Sequence, residues 1–267
     1  MLPKLRPADE PERMPSRLYH YTSIEALAMM LSTRKLKFNR LDLVNDPEEA
    51  DANDLLISKE LVFATCWTAE EEESLPMWRM YTPKKRGIRI GLPWDFIAHT
   101  SCVKAPSPHN CMFTLSDYLK VKRDSGASTL TRVVMGPYKI QYDENHKTSC
   151  VTQSAEMIQY ELSHLGTKKR EHWRFEKEWR YKILGVQSAA RYLDGDDCAQ
   201  FVTEMYDSNN HVKTKFLLVP LRKDALQDIQ IMIGPSADDA IEILVRALLR
   251  RYRIKMNLTY SKIKYNW

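Results

Sequence analysis

Apolar and polar residues alternate along several short segments of the chain, with the two-residue period that is typical of β-strands. Four other segments repeat apolar residues every three or four positions, as helices with one buried face do. The pattern predicts strands at residues 18–22, 36–40, 61–67, 87–92, 133–142, 216–221, 229–234 and 254–262. It predicts helices after Ser23, over 76–81, over 152–165 and after Ser236. Short strands interspersed with few helices indicate the α+β class.

The domain organisation follows from where these patterns stop. Residues 1–16 are rich in proline and charge, and we expect a flexible N-terminal arm there. Residues 17–267 contain no internal repeat and no low-complexity linker, which predicts a single α+β domain. Within it, residues 101–130 are irregular and polar, which predicts a loop insertion. The sequence does not indicate the oligomeric state.

Composition excludes several classes of protein. Of the 267 residues, 43% are hydrophobic and 28% are charged, which is ordinary for a globular protein, and the net charge of +5 permits contact with nucleic acid without requiring it. Five cysteines without a C-x-x-C pair suggest neither a disulfide framework nor a zinc ribbon. No apolar run is long enough to span a membrane, and the N-terminus lacks a secretory signal, so we expect a cytoplasmic protein without membrane contact.

The stretch from 173 to 184, WRFEKEWRYKIL, is the strongest candidate for chemistry. Strand alternation would place Glu176, Glu178 and Arg180 on one face, and such a face is either solvated and ion-paired or catalytic. If the segment instead ended a helix, Arg174 and Glu178 would form an ordinary i,i+4 pair. Either acid could be the catalytic one.

Three further positions carry side chains that suit a ligand. His20, Tyr21 and Thr22 end a predicted strand beside a helix that Ser23 caps, where backbone donors favour a phosphate or a ribose, although a structural histidine fits as well. Trp78 and Tyr81 lie three residues apart on a short helix, either as core or as a platform for a flat ring. Asn45 and Asp46 open an NDPEE turn, which capping alone would explain.

Several unusual short motifs occur in one order, namely LYHYTS at 18–23, NDPEE at 45–49, ATCWT at 64–68, MWRMY at 77–81, a glycine-led strand from 87, EKEWR at 176–180 and IMIGPSAD at 231–238. In this order they resemble a bacterial family catalogued as a domain of unknown function, number twenty-nine seventy-one. The resemblance runs over most of residues 18–250 and is weakest over 100–150. More distantly, the chain is similar to ADP-ribosyltransferases that begin with a strand bearing a histidine and end with a catalytic glutamate beside a strand.

The second resemblance implies a fold, a cofactor and a set of site residues. It implies an ADP-ribosyltransferase-like fold, with central, mostly antiparallel β-sheets flanked by helices, and NAD as the cofactor. Its implied site contains catalytic Glu178 and His20, NAD-binding Tyr21, Thr22, Trp78, Tyr81 and Arg180, supporting Glu176, Asn45 and Asp46, and no metal. It further implies a toxin or anti-phage defence effector that modifies a protein or nucleic acid and has a neutralising partner. A hydrolase of NAD without an acceptor would have the same sequence features.

The residue types fit this chemistry. Cleavage of NAD develops positive charge on the ribose, and one fixed carboxylate stabilises that charge. Neither G-x-G-x-x-G nor G-x-x-x-x-G-K-[ST] occurs, so the diphosphate needs basic residues, for which Arg86, Arg89 and Arg180 are candidates. The hypothesis requires His20 and Glu178 to face a common cleft.

Two other functions fit the sequence. In a nucleic-acid-binding protein or metal-dependent nuclease, Asp46, Glu48 and Glu178 would bind Mg²⁺, and the basic clusters at 84–86, 168–170 and 249–253 would contact nucleic acid. In a noncatalytic interaction protein, His20, Trp78 and Trp179 would be core residues.

Overall fold

The computed structural model describes residues 14–84, 86–97, 134–153, 158–160, 162, 164–184, 214–235 and 237–264. The predicted arm, up to residue 13, and the predicted insertion at 101–130 lie outside these residues.

Three α-helices occur in the described part of the chain: α1 (Ile24–Thr33), α2 (Leu75–Tyr81) and α3 (Asp239–Arg251). Each begins at a side chain that accepts a hydrogen bond from a backbone N–H of its first turn. Ser23 caps α1, Ser74 caps α2 and Asp238 caps α3. The predicted cap at Ser23 is therefore confirmed, whereas Ser236 lies outside the described residues.

The strands are β1 (Arg17–Ser23), β2 (Lys35–Arg40), β3 (Val62–Thr68), β4 (Gly87–Pro93), β5 (Met135–Lys139), β6 (Gln141–Tyr142), β7 (Val151–Gln153), β8 (Ile158–Tyr160), β9 (Lys168–Lys169), β10 (Glu178–Leu184), β11 (Phe216–Pro220), β12 (Gln230–Ile233) and β13 (Leu258–Tyr260). Short 3-10 helices occupy Leu41–Leu43, Ser58–Leu61, Glu171–Glu176 and Ala225–Asp228. The predicted strands are found, although the last one covers only three residues of the expected 254–262.

One large sheet organises the described residues. It contains nine strands, in the order β11-β2-β3-β1-β4-β12-β13, with β10 paired to β3 and β5 paired to β10. Its neighbouring strands are antiparallel except for β12 and β13. The fold is therefore α+β, with a mixed, mostly antiparallel sheet and few helices.

The sheet branches at β3. All seven residues of β3 pair with β10 along one edge. On its other edge β3 pairs with β2 at Ala64 and Phe63, and with β1 only at the pair Tyr19↔Thr68. In contrast, β1 pairs with β4 along its whole length. We call the place where β1 leaves β3 the junction.

The register defines two faces, because directly paired residues point to the same side of a sheet. One face carries Tyr19, Cys66, Thr68, Glu178 and Arg180, and we call it the charged face. The other face carries residues such as Leu18, Ile90 and Trp67, and we call it the apolar face. Those three side chains belong to the same hydrophobic core as Leu27 of α1 and Val245 of α3.

The predicted helix over 152–165 is wrong. The described residues of this segment form β7 and β8, which pair antiparallel, and a turn follows at 164–167. The apolar stripe that suggested a helix was only three residues long, and Val151, Thr152, Ile158 and Tyr160 are residue types that favour strands. The predicted strand over 133–142 is interrupted at Gly136-Pro137, where the register between β5 and β10 shifts.

Candidate functional site

Five charged side chains lie buried together over the charged face. They are Glu49, Lys169, Glu176, Glu178 and Arg180, which are each exposed by 5% or less, and we call them the charge cluster. The face of Glu178 and Arg180 is thus ion-paired but not solvated. Buried ions are costly unless they are paired and hydrogen-bonded, so the geometry of these five groups must be well fixed.

Arg180 holds Glu178 in place. Its Nε donates to Oε1 of Glu178 at 2.7 Å, its Nη1 donates to the carbonyl of Gly166 at 2.9 Å, and its Nη2 donates to Glu49. The residue has no exposed surface. Arg180 therefore positions the carboxylates in this structure, and its guanidinium has no exposed edge for the diphosphate that the sequence assigned to it.

Lys169 is the second cation of the cluster. Its Nζ lies 2.6 Å from Oε2 of Glu176, 3.3 Å from Oε2 of Glu178 and 3.5 Å from Oε2 of Glu49. Burial lowers the pKa of Lys169, but the three carboxylates raise it more, so the ammonium stays charged.

The cluster has more carboxylates than cations. When all five groups are ionised, three carboxylates face two cations, which leaves one negative charge in excess. Lys182 lies farther along β10 and donates to the carbonyl of Leu165 at 2.6 Å. Burial and then Arg180 lower the pKa of Lys182 to about 7, so it compensates this excess only in part at neutral pH.

Glu176 and Glu178 differ in proton affinity. Burial raises the pKa of Glu176 to about 7, against the attraction of Lys169. Burial also raises the pKa of Glu178, but Arg180 and Lys169 together outweigh burial and lower it below its ordinary value. Glu178 is thus a fixed anion, whereas Glu176 exchanges a proton near neutral pH, which is the division of roles that acid–base chemistry requires.

Of the two predicted aromatic residues, only Tyr81 adjoins the cluster. It ends α2, remains partly exposed, and its hydroxyl donates to Oε1 of Glu176. Burial and then Glu176 raise the pKa of this hydroxyl, so it stays protonated. Trp78 is fully buried, packs edge-on against Tyr21 at 4.8 Å and donates to Glu73, as a core residue does.

His20 lies on the apolar face, at the junction. Its Nδ1 is 2.8 Å from the carbonyl oxygen of Cys66, and its ring centroid is 5.1 Å from that of Trp67. A carbonyl only accepts, so Nδ1 carries the proton and Nε2 is left with a lone pair. Burial lowers the pKa of His20, which favours this neutral form. The residue is partly exposed.

His20 and Glu178 leave opposite faces of the sheet. Tyr19, not His20, shares the face of Thr68 and Glu178. Cys66 adjoins both faces, because its carbonyl oxygen accepts from His20 and its side chain lies on the charged face with Glu178. The expectation of one cleft shared by both side chains is therefore not met on either face. Thr22, two residues on from His20, is buried on the same face as His20, and Tyr21 lies on the charged face.

The NDPEE turn contributes Glu49 to the charge cluster, whereas the predicted residues Asn45 and Asp46 do not belong to it. Asn45 is exposed, and no helix follows it. Asp46 is buried, and its Oδ1 accepts from Nη2 of Arg170 at 2.7 Å and from the N–H of Glu48 at 3.1 Å. These bonds fix the turn that delivers Glu49 to the cluster.

Sequence reasoning missed Glu49 and Lys169. Glu49 is the last residue of the NDPEE motif, in which Asn45 and Asp46 were the predicted supporting residues. The motif was the signal that could have identified Glu49 as well. Lys169 stands in a run of three basic residues, and nothing local distinguishes it from Lys168.

The nuclease alternative loses its key contacts, whereas Trp78 and Trp179 are buried, as the noncatalytic alternative expects. Asp46 pairs with Arg170, and Glu178 pairs with Arg180 and Lys169, so the carboxylates proposed for Mg²⁺ are held by cations. In the part of the chain that the structure describes, no group of three His, Cys, Asp or Glu residues could hold a metal ion. The basic cluster at 168–170 is not a surface patch either, because Lys169 is buried.

The other arginines that the sequence singled out do not belong to the charge cluster. Arg86 is exposed and pairs with Glu25 at 2.7 Å. Arg89 is buried, and its guanidinium lies 4.6 Å from the ring centroid of Tyr19. Arg174 pairs with Glu171, not with Glu178.

No helix among the described residues is long and apolar enough to cross a membrane. Residues 77–181 match the model of a family described as "Protein of unknown function (DUF2971)", which confirms the first of the two resemblances. The match includes Tyr81 and four members of the charge cluster, namely Lys169, Glu176, Glu178 and Arg180. Glu49, Cys66 and His20 lie outside it. No curated protein and no solved structure gives a significant match to the chain.

Proposed function

We propose that this protein cleaves the bond between nicotinamide and ribose in NAD at the charge cluster, as an NAD glycohydrolase or an ADP-ribosyltransferase. The site proposed here differs from the one expected from the sequence, because His20 and Glu178 do not share a cleft and His20 therefore does not contact NAD. One observation carries the proposal. A buried cluster with one carboxylate in excess ends at the partly exposed Tyr81, and such a cluster favours positive charge that develops next to it.

The reaction assigns separate roles to the two acids. As the bond between ribose C1′ and the nicotinamide nitrogen breaks, its electron pair leaves with nicotinamide and positive charge develops on the ribose. Glu178, which stays ionised, stabilises this charge. Glu176 accepts the proton that the attacking hydroxyl or water loses when its oxygen bonds to C1′, and a pKa of about 7 suits this role at neutral pH.

The other residues of the site have supporting roles. The ring of Tyr81 gives the nicotinamide an aromatic surface, and its hydroxyl orients Glu176. Arg180 and Lys169 hold the carboxylates so that little reorganisation accompanies the reaction. His20 is a positioning residue, which acts through the Cys66 carbonyl on the strand that pairs with Glu178. The resemblance to ADP-ribosyltransferases suggested this reaction, and the charge cluster is what supports it.

The test is the release of nicotinamide from NAD, followed by chromatography and mass spectrometry, with and without protein and nucleic-acid acceptors. We expect Glu178→Gln and Glu176→Gln each to lower the rate by about 100-fold or more, as loss of a charge-stabilising or proton-accepting group does. Tyr81→Phe should have a smaller effect, because the ring remains. A mass gain on an acceptor would identify a transferase, and free ADP-ribose a glycohydrolase.

Glu171→Gln is the matched control, because Glu171 begins the same 3-10 helix and its side chain is exposed. It should keep the rate of the parent protein. Circular dichroism must show that each variant is folded. If the folded parent protein releases no nicotinamide, or if Glu178→Gln and Glu176→Gln release it as fast as Glu171→Gln, the proposal is wrong. A toxin or defence role, with a neutralising partner, depends on finding a transferase.

A further inference from the structure

A pocket of about 320 Å³ opens on the charged face, away from the charge cluster. Strands β1, β4, β12 and β13 form its floor, and the loop after β3 forms one wall. Its lining includes Arg17, Tyr19, Glu71, Arg89 and Thr259. The volume is at the lower end of the range for small-molecule sites. None of these residues belongs to the charge cluster.

Arg89 is fixed in a position from which it can bind a ligand. It is 5% exposed, and its guanidinium stacks on the ring of Tyr19 at 4.6 Å. Among the described residues, its hydrogen bonds all leave from Nη1, to the carbonyls of Glu71 and Glu72 and to the hydroxyl of Tyr21. Nε and Nη2 therefore remain available to an anion, on a guanidinium that loses little freedom on binding.

Arg17 provides a second guanidinium in the same pocket. Its Nη1 donates to the carbonyl of Gly91 at 3.0 Å and to that of Asp228 at 2.8 Å. Both bonds hold the side chain along the sheet. The carboxylate of Glu71 also lines the pocket, 3.5 Å from the hydroxyl of Tyr19, so two cations face one anion.

The floor of the pocket depends on a glycine. A Cβ at Gly91 would lie 2.9 Å from the ring of Tyr19, which is closer than Cβ atoms approach, and 3.2 Å from Cδ of Arg17, which is a tight contact. Only glycine therefore lets Tyr19 and Arg17 cross over β4 in this arrangement. Gln230 and Thr259 add polar groups, and Met232 adds an apolar surface.

We propose that this pocket binds the phosphate group of a small phosphorylated ligand. Two preorganised guanidiniums match the charge and the planar, two-pronged hydrogen bonding of a phosphate. The volume of about 320 Å³ limits the ligand to about the size of a nucleoside monophosphate. The proposal is independent of NAD cleavage.

The test is isothermal titration of the full chain with AMP and with adenosine at low salt. AMP should bind saturably at one site, and adenosine, which lacks the phosphate, should bind at least about tenfold more weakly, because charge-assisted hydrogen bonds are lost. Binding of AMP should weaken as salt increases. Absence of saturable AMP binding, or equal binding of adenosine, would overturn the proposal.

Two variants locate the site, and a third serves as the control. Arg17→Gln removes one cation, and Gly91→Ala pushes Tyr19 and Arg17 apart; each should weaken AMP binding about tenfold or more. Arg86→Gln removes an exposed arginine that does not line the pocket, and it should bind AMP as the parent protein does. If Arg17→Gln is folded and binds AMP with unchanged affinity, the site lies elsewhere. Glu178→Gln should keep AMP binding, which separates this proposal from the proposed function.

Discussion

At the scale of single residues, Glu176 and Glu178 show how position decides chemistry. They are the same residue type, two positions apart, and both approach Lys169. Glu178 also accepts from Arg180, whereas Glu176 accepts from the neutral hydroxyl of Tyr81. The second cation, Arg180, stabilises the ionised form of Glu178. The neutral hydroxyl of Tyr81 stabilises the ionised form of Glu176 less, so burial has the larger effect on the pKa of Glu176.

This difference predicts a pH dependence of stability. The folded state raises the pKa of Glu176 to about 7, so between the ordinary glutamate pKa and about 7 it binds more protons than the unfolded state. Its contribution is therefore largest at low pH and is lost as the pH rises through this window. Glutamine cannot lose a proton, so Glu176→Gln does not lose this contribution as the pH rises. The stability of the variant minus that of the parent protein should therefore increase between about pH 5 and pH 8.

Thermal melts of both proteins across this range measure the effect. Glu171→Gln is again the control, because Arg174 lowers the pKa of Glu171 and so moves its titration below this window. A melting temperature of Glu176→Gln that follows the parent protein in parallel at every pH would contradict the prediction. The pKa of Glu178 is lowered in the folded state, so its effect on stability depends on pH in the opposite direction. Its contribution is lost only as the pH falls below the ordinary glutamate pKa.

The sequence identified Glu176, Glu178, Arg180 and Tyr81, but not Glu49 and Lys169, which complete the charge cluster. Strand alternation is a local property, and it correctly grouped Glu178 with Arg180. Glu49 reaches the cluster from 131 positions before Arg180. A pattern of neighbouring residues cannot reveal a contact across that many positions, so the sequence could not show that these charges are buried and paired.

At the scale of elements, two turns deliver the cluster to its place. Lys177 has a φ of 44°, in the left-handed region, and connects the 3-10 helix ending at Glu176 to β10. Gly166 has a φ of +68°, and its carbonyl accepts from Arg180. A Cβ at Gly166 would lie 2.8 Å from Cδ1 of Leu41. One left-handed position is thus filled by glycine and the other by a residue that is strained there.

Opposite substitutions at these turns should have opposite effects. Gly166→Ala adds left-handed strain and a close contact, and we expect it to lower the free energy of unfolding by about 1–3 kcal/mol. Lys177→Gly relieves strain and loses only the exposed pair with Glu70, so it should be neutral or stabilising by up to about 1 kcal/mol. Urea unfolding of both variants measures this, and a Gly166→Ala protein as stable as the parent would contradict it.

Elements with strong local signals were predictable, and one with a weak signal was not. Ser23 as a cap and the apolar positions Leu27 and Leu31 indicate α1 from neighbouring residues alone. The segment from 152 to 165 has three apolar residues at a helical spacing, but its strand-forming residues pair as β7 and β8 instead. Pairing between strands is a tertiary contact, and it overrode a short periodic pattern.

At the scale of the whole molecule, the junction divides the sheet into two parts. β1 pairs with β4 along its length but meets β3 at one pair, and His20 adds one bond to the Cys66 carbonyl. The order of strands around β3 could not be read from the sequence, because it depends on which distant strands meet. For the same reason the sequence could not show that His20 and Glu178 leave opposite faces.

Hydrogen exchange should detect the junction. Amide hydrogens of β3 that point toward β1 should exchange faster than those that point toward β10, because fewer backbone pairs close that edge. His20→Ala removes the bond to Cys66 and should accelerate the first group alone. Nuclear magnetic resonance resolves the two groups in one experiment. Equal protection from exchange for the amide hydrogens on both edges of β3 would contradict the prediction.

The charge cluster also restricts how this sequence can change over generations. Removing one partner of a buried ion pair leaves the other without a counterion and costs about 3–5 kcal/mol, a large part of the stability of an ordinary domain. Replacing all the partners together by apolar residues would avoid that loss. Glu49, Lys169 and Arg180 are therefore expected to be inherited as a set, because each intermediate with one member missing is less stable than either end state.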